Sequence, residues 1–166
     1  MPNRPGAEVN YANITFGQGM NATMVQAASA FCSVVNGGQY FRPTVVAGTV
    51  DVNGGLKPAA ASLLRRTISE QSSATMRGML STARAVLNQR MPDKDKPGYD
   101  VGGKTGTSET LINGSYSMDE TVATYIGYGG ANRPEYVIMV RVAAPGKRKN
   151  LQGNIHAAPI FTDVSN

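Results

Sequence analysis

The stretch Gly98-Tyr99-Asp100-Val101-Gly102-Gly103-Lys104-Thr105-Gly106-Thr107-Ser108 decides how this chain of 166 residues reads. Two interpretations compete. From Gly98 to Thr105 the letters fit G-x-x-x-x-G-K-T, the loop whose backbone amides and lysine cradle nucleotide phosphates. That loop needs a buried strand before it and a helix opening at the Lys-Thr pair. Upstream, however, stands the charged Asp93-Lys94-Asp95-Lys96 run, and the supposed loop contains the strand formers Tyr99 and Val101. A helix starting at Lys104 would also carry Gly106 in its first turn, and no apolar strand ending in Asp follows to hold magnesium. The second interpretation makes the stretch a β-strand, and the context favours it.

On a strand, side chains alternate, so Thr105 and Thr107 share a face and offer two hydroxyls in register to a carboxylate. Lys104 starts on the other face. Its four-carbon stem can carry the ammonium to the strand margin, where it favours an anionic substrate and biases nearby proton equilibria. Gly106 has no side chain, so another backbone can come close. The Thr107 amide is then a candidate oxyanion donor, a contact whose loss typically costs roughly 3 kcal/mol of transition-state stabilisation. Lys104 and Thr107 are the candidate catalytic residues, and Thr105, Gly106 and Thr107 the candidate substrate-binding ones. The chemistry they imply is acyl transfer on a peptide-like substrate ending in a carboxylate.

Outward from this strand, Thr121 to Tyr128 and Glu135 to Ala143 read as two more, the first reached through a loop containing Asn113-Gly114. A connection of about a dozen residues and then the short Gly130-Ala131-Asn132-Arg133-Pro134 turn predict an antiparallel meander. Upstream, Ser69 caps a helix whose inner stripe is expected to be Met76, Met79, Leu80, Ala83 and Leu87 and which stops near Met91-Pro92. Further back, Thr44 to Asp51 with Asn53-Gly54-Gly55 predicts a small hairpin. Thr23 and Gln26 form a capping box at the head of a helix with Met24, Ala27, Ala28, Phe31, Cys32 and Val35 on its apolar side, ended by Asn36-Gly37-Gly38. Cys32 is expected in the core. A short helix over Ala157 to Val164, with Pro159 in its first turn, closes the chain. The fold class is α+β, an antiparallel sheet with packed helices.

Composition narrows the function. With 41% hydrophobic residues and 16% charged, the chain folds rather than staying disordered, as one domain spanning 1–166. One cysteine excludes an internal disulfide, and with only one histidine as well a zinc site would rest almost wholly on carboxylates, so no metal or cofactor is expected. That histidine, His156, precedes the last helix without a partner nucleophile and reads as exposed or capping. The net charge of +5 and the Lys147-Arg148-Lys149 cluster lack any recognition helix, zinc spacing or aromatic motif, so no nucleic-acid partner is expected. No apolar run approaches the ~20 residues of a membrane span.

Lys104-Thr105-Gly106-Thr107-Ser108 resembles the third motif, KTGT, of the class B penicillin-binding proteins, the transpeptidases that crosslink peptidoglycan. Phe16-Gly17-Gln18-Gly19 followed by Thr23-Met24-Val25-Gln26 is similar to the family's FGQG segment and its helix. Asn36-Gly37-Gly38 with Arg42-Pro43, and Ala158-Pro159-Ile160-Phe161, match further segments in order, so the resemblance covers about residues 11 to 162. It implies a serine β-lactamase-like transpeptidase domain whose partners are peptidoglycan stem peptides and β-lactams, with an acyl-serine intermediate formed on a D-Ala-D-Ala stem. A β-lactam-sensing or β-lactam-hydrolysing domain of the same superfamily is the neighbouring alternative.

The family acylates a serine in an SxxK motif and uses a second SxN motif, and neither is found here. Ser62-Leu63-Leu64-Arg65 comes nearest to the first, but arginine stays protonated and cannot act as the base. Tyr11-Ala12-Asn13 imitates a variant of the second, in the wrong place. The expectation is therefore the C-terminal portion of a transpeptidase domain, inactive alone. The resemblance further implies the extracytoplasmic face of a bacterial membrane, reached through an N-terminal anchor outside these residues. The apolar surface a partial domain leaves bare implies self-association of the isolated piece.

Overall fold

The computed structural model describes residues 7–15, 17–91, 95–112, 115–144 and 149–166. A first helix, α1 (Ala7–Thr15), was not anticipated from the sequence, whose polar Asn and Thr give it no strong apolar stripe. Then comes α2 (Met24–Val35), opened by the expected capping box: the Gln26 amide donates to Thr23 Oγ1 while the Thr23 amide donates to Gln26 Oε1 at 2.9 Å. Two short antiparallel pairs follow. β1 (Gln39–Phe41) pairs with β4 (Leu63–Arg66), and β2 (Gly48–Val50) with β3 (Leu56–Pro58) as the hairpin around Asn53-Gly54-Gly55. Ser62-Leu63-Leu64-Arg65 thus lies at and on a surface strand, with Arg65 stacked over Tyr40 at 5.6 Å.

The long helix α3 (Glu70–Asn88), capped by Ser69, corrects the expected inner stripe. Met76 and Met79 are 39% and 61% exposed, and the buried positions are Ser73, Leu80 and Arg84. The reason is the end of α2, whose last carbonyls have no partners within their own helix. Ser73 Oγ donates to the Val34 carbonyl at 2.6 Å and accepts from the Gly37 amide at 2.9 Å, while Arg77 donates to the Val35 carbonyl at 2.9 Å. Polar side chains win this face because backbone groups wait there. α2 itself buries only its second half, so Met24 is exposed and Cys32 half-buried rather than in the core. Burial still pushes the Cys32 thiol up from its ordinary pKa.

The sheet is antiparallel with order β5-β6-β7: β5 (Asp100–Ile112), β6 (Ser115–Gly130) and β7 (Tyr136–Val142). β5 and β6 run further than expected. In place of a loop of about a dozen residues, the ladder continues past a bulge at Glu109/Thr110 to the pair Ile112↔Ser115. Asn113-Gly114, a favoured hairpin dipeptide, lies outside the described residues, as do Phe16, Asp93, Lys94, Lys147 and Arg148. A π-helical turn (Gly153–Ala157) leads into α4 (Ala158–Ser165), with Pro159 in the first turn as predicted.

Two clusters form the core on opposite faces of this sheet. One gathers Met91, Val101, Ala123, Tyr125, Leu151 and Phe161; the other joins Tyr128 to Val35 and Leu80. Tyr128 Oη donates toward the Arg77 carbonyl at 3.3 Å and lies 3.4 Å from Asp100 Oδ2. Burial pushes its pKa up to about 12, and the Asp100 charge adds to the shift. The unfolded chain gives up this proton near pH 10. Between about pH 10 and 12 the unfolded state therefore sheds a proton that the folded state keeps, and stability falls as pH rises through that window. Urea midpoints measured across it should decline, and Tyr128→Phe should flatten the decline.

Candidate functional site

β5 is the edge of its sheet, so one side of the strand carries amides and carbonyls outside the ladder. The backbone is extended from Asp100 to Ile112 and no helix opens at Lys104, which removes the phosphate-loop reading. Thr105 and Thr107 pair with Tyr125 and Ala123, and Lys104 and Gly106 with Ile126 and Thr124, so the two threonines occupy one face and the lysine starts on the other.

The exposed Lys104 side chain bends back around the strand. Its Nζ donates to the Thr105 carbonyl at 3.0 Å and lies 3.4 Å from Thr105 Oγ1, so the ammonium meets the first threonine at the strand margin. Lys104 and Thr105 line a cleft of about 620 Å³, bounded by Leu87 of α3, Arg90 just beyond that helix and Ile155 before α4, with Tyr125 behind. Tyr125 is fully buried there, and burial raises its hydroxyl pKa against the opposing pull of Arg84. Two cations and a threonine hydroxyl at the mouth of an apolar cleft suit an anionic ligand with an apolar body.

Thr107 lies outside that cleft and is solvent-exposed. Its Oγ1 accepts the Gly153 backbone N–H at 3.3 Å. Between the threonines, Gly106 is closely hemmed in: a Cβ there would collide with Thr124 Oγ1. The predicted residues are thus brought to one strand. Sequence reasoning missed Thr124, Tyr125 and Gly153, which lie far along the chain and belong to no motif.

Weaker candidates fall elsewhere. His156 Nδ1 accepts the Gln152 amide at 2.9 Å, a turn-capping role. Asp119 pairs with Lys149 at 2.9 Å on the surface, where such a bond contributes little. Among the described residues no group of three or more His, Cys, Asp or Glu could hold a metal ion, and no helix is long and apolar enough to cross a membrane.

With that geometry in place, comparison with known proteins defines the class. Residues 2–166 match the model of the penicillin binding protein transpeptidase domain, and the chain belongs to that family. Stage V sporulation protein D of Bacillus subtilis is 30% identical over 158 residues, 94% of this chain but 24% of its own length. The probable peptidoglycan D,D-transpeptidase PenA of Neisseria flavescens is 27% identical over 157 residues, 95% of this chain and 36% of its own. Among solved structures, penicillin-binding protein 3 of Mycobacterium tuberculosis complexed with aztreonam superposes with a TM-score of 0.74 at 28% identity, over 93% of this chain and 36% of that one. The chain therefore spans about a quarter to a third of the relatives it matches.

Proposed function

We propose that this chain forms one wall of the acyl-transfer site of a peptidoglycan D,D-transpeptidase. The observation that carries the reading is the extended strand on which Thr105 and Thr107 share a face while the Lys104 ammonium reaches the Thr105 hydroxyl. In this role Thr105 and Thr107 bind the terminal carboxylate of a D-Ala-D-Ala stem peptide or the equivalent group of a β-lactam. Lys104 supplies positive potential and helps manage the proton of the nucleophile. The Thr107 amide stabilises the oxyanion. Gly106 keeps the strand narrow enough for close approach.

The serine nucleophile and its base belong to sequence beyond these residues, so the chain alone does not acylate. The exposed apolar side chains Met76, Met79 and Val86 along α3, with Met24 and Val25 on α2, support this reading. Apolar side chains left bare in this way suit cover by further structure, or self-association of the isolated piece. The name of the Neisseria flavescens relative supports a site of action in peptidoglycan synthesis, and we place it on the extracytoplasmic side of the membrane.

Fluorescent penicillin tests the reading. The chain alone should remain unlabelled, and a protein that joins it to a serine-bearing remainder should label covalently. Labelling of the isolated chain would overturn the missing-nucleophile reading. Failure of the joined protein to label would overturn the functional one.

A further inference from the structure

We infer that Gly153 is a positioning residue for carboxylate recognition, acting through the hydroxyl of Thr107; this rests on the reading of the site above. The Gly153 N–H donates to Thr107 Oγ1 at 3.3 Å, across 46 positions of sequence. A hydroxyl has one proton to give and two lone pairs. With one lone pair held by the amide, the side chain is fixed in rotation and its proton is directed away from Gly153. On an exposed threonine that proton is left for an incoming acceptor, and a carboxylate is the acceptor the neighbouring Lys104 and Thr105 favour. The donor is set before the ligand arrives, so less freedom is lost on binding.

Only glycine fits at 153. A Cβ there would lie 2.6 Å from the Thr124 carbonyl oxygen, 2.7 Å from that of Gly106 and 3.0 Å from the Gly106 nitrogen. All three are backbone atoms within the sheet and cannot swing aside. The turn is therefore seated directly on Gly106, the residue between the two threonines. It is also anchored at its entrance. Leu151 is 1% exposed in the core, its carbonyl accepts Thr121 Oγ1 at 2.7 Å, and the Gln152 amide donates to His156 Nδ1 at 2.9 Å. These bonds hold the segment while Gly153 reaches the strand, and they give the sole histidine a place in the device.

Two measurements on the chain test this. The first is amide hydrogen exchange at Gly153, compared between the native chain and Thr107→Val, which keeps the shape and loses the acceptor. Exchange about fivefold faster in the variant, restored by Thr107→Ser, is expected. Unchanged exchange overturns the inference. The second is binding of N-acetyl-D-alanyl-D-alanine against its C-terminal amide, followed by NMR. Gly153→Ala should reduce the preference for the acid about tenfold, and adding it to Thr107→Val should reduce that preference no further. Equal weakening of acid and amide in Gly153→Ala means a merely structural role and also overturns it. If Gly153→Ala does not fold, the exchange comparison decides alone. If the native chain binds acid and amide equally, the carboxylate reading of the site falls and the positioning role falls with it. Exchange still reports whether the bond exists, which separates the two failures.

Discussion

Alanine at position 84 is expected to cost about 3–5 kcal/mol of folding stability, the range for removing one partner of a buried ion pair. Arg84 is 1% exposed, and its guanidinium is committed in every direction. Nε donates to Asp95 Oδ2 at 2.9 Å, and Nη2 donates to Asp95 Oδ1 at 2.5 Å and to Thr162 Oγ1 at 2.7 Å. The rings of Tyr125 and Phe161 lie 5.5 and 5.2 Å from its central carbon. One side chain thus ties α3 to the loop before β5, to β6 and to α4. Truncation would leave Asp95, only 14% exposed as a side chain, without its counter-charge. Urea unfolding should show a lower midpoint with an unchanged slope. Arg84→Lys should recover little, because an ammonium cannot span both carboxylate oxygens and Thr162 in one plane. Arg84→Met combined with Asp95→Asn should be less damaging than Arg84→Ala alone. A loss below about 1 kcal/mol in the single variant would show the pair to be solvated.

Arg84 also marks where sequence reasoning stops. The helix around it was legible from the Ser69 cap and the 3.6-residue spacing of Met76, Met79, Leu80, Ala83 and Leu87. Hydrophobicity assigned its inner face to the methionines, whereas the protein gives that face to Ser73, Arg77, Leu80 and Arg84. The partners of these polar groups are the Val34 and Val35 carbonyls, Asp95 and Thr162, none of them local in sequence. Periodicity reports how often a face recurs and says nothing about what waits opposite it.

The strand at Lys104 was legible for the opposite reason. Alternation alone put Thr105 and Thr107 on one face and Lys104 on the other, and pairing with Tyr125, Ala123 and Ile126 agrees. The extension of the ladder to Ile112 was not legible because Ser108, Glu109 and Thr110 carry no apolar side chain and separate the motif from Leu111-Ile112. Gly153 was invisible, since a single glycine in Leu151-Gln152-Gly153-Asn154 gives no sign of the strand it touches.

Lys104→Ala should leave folding almost untouched and cripple acylation, and that separation is what makes it informative. The side chain is exposed and its described bonds reach only Thr105 beside it, so a stability change within about 0.5 kcal/mol is expected. In the serine-bearing protein, the rate of covalent labelling by penicillin should fall roughly 10²–10³-fold, the usual loss when a preorganised electrostatic contact to the reacting group is removed. In the proposed site, both the carboxylate of the ligand and the charge developing on its carbonyl would lose a nearby cation. Lys104→Arg separates two roles of the ammonium. If the cation serves only to attract the carboxylate, arginine should restore most of the rate, because its charge is permanent and its donors suit a carboxylate. If the ammonium also passes protons, arginine should bind ligand normally and still acylate slowly, since it does not give up its proton in proteins. The second outcome is expected, because the proposed role of Lys104 includes the proton of the nucleophile, and its Nζ, 3.4 Å from Thr105 Oγ1, already stands at the strand margin. A Lys104→Ala protein that labels at the native rate would remove Lys104 from the chemistry and leave the threonines alone to define the site.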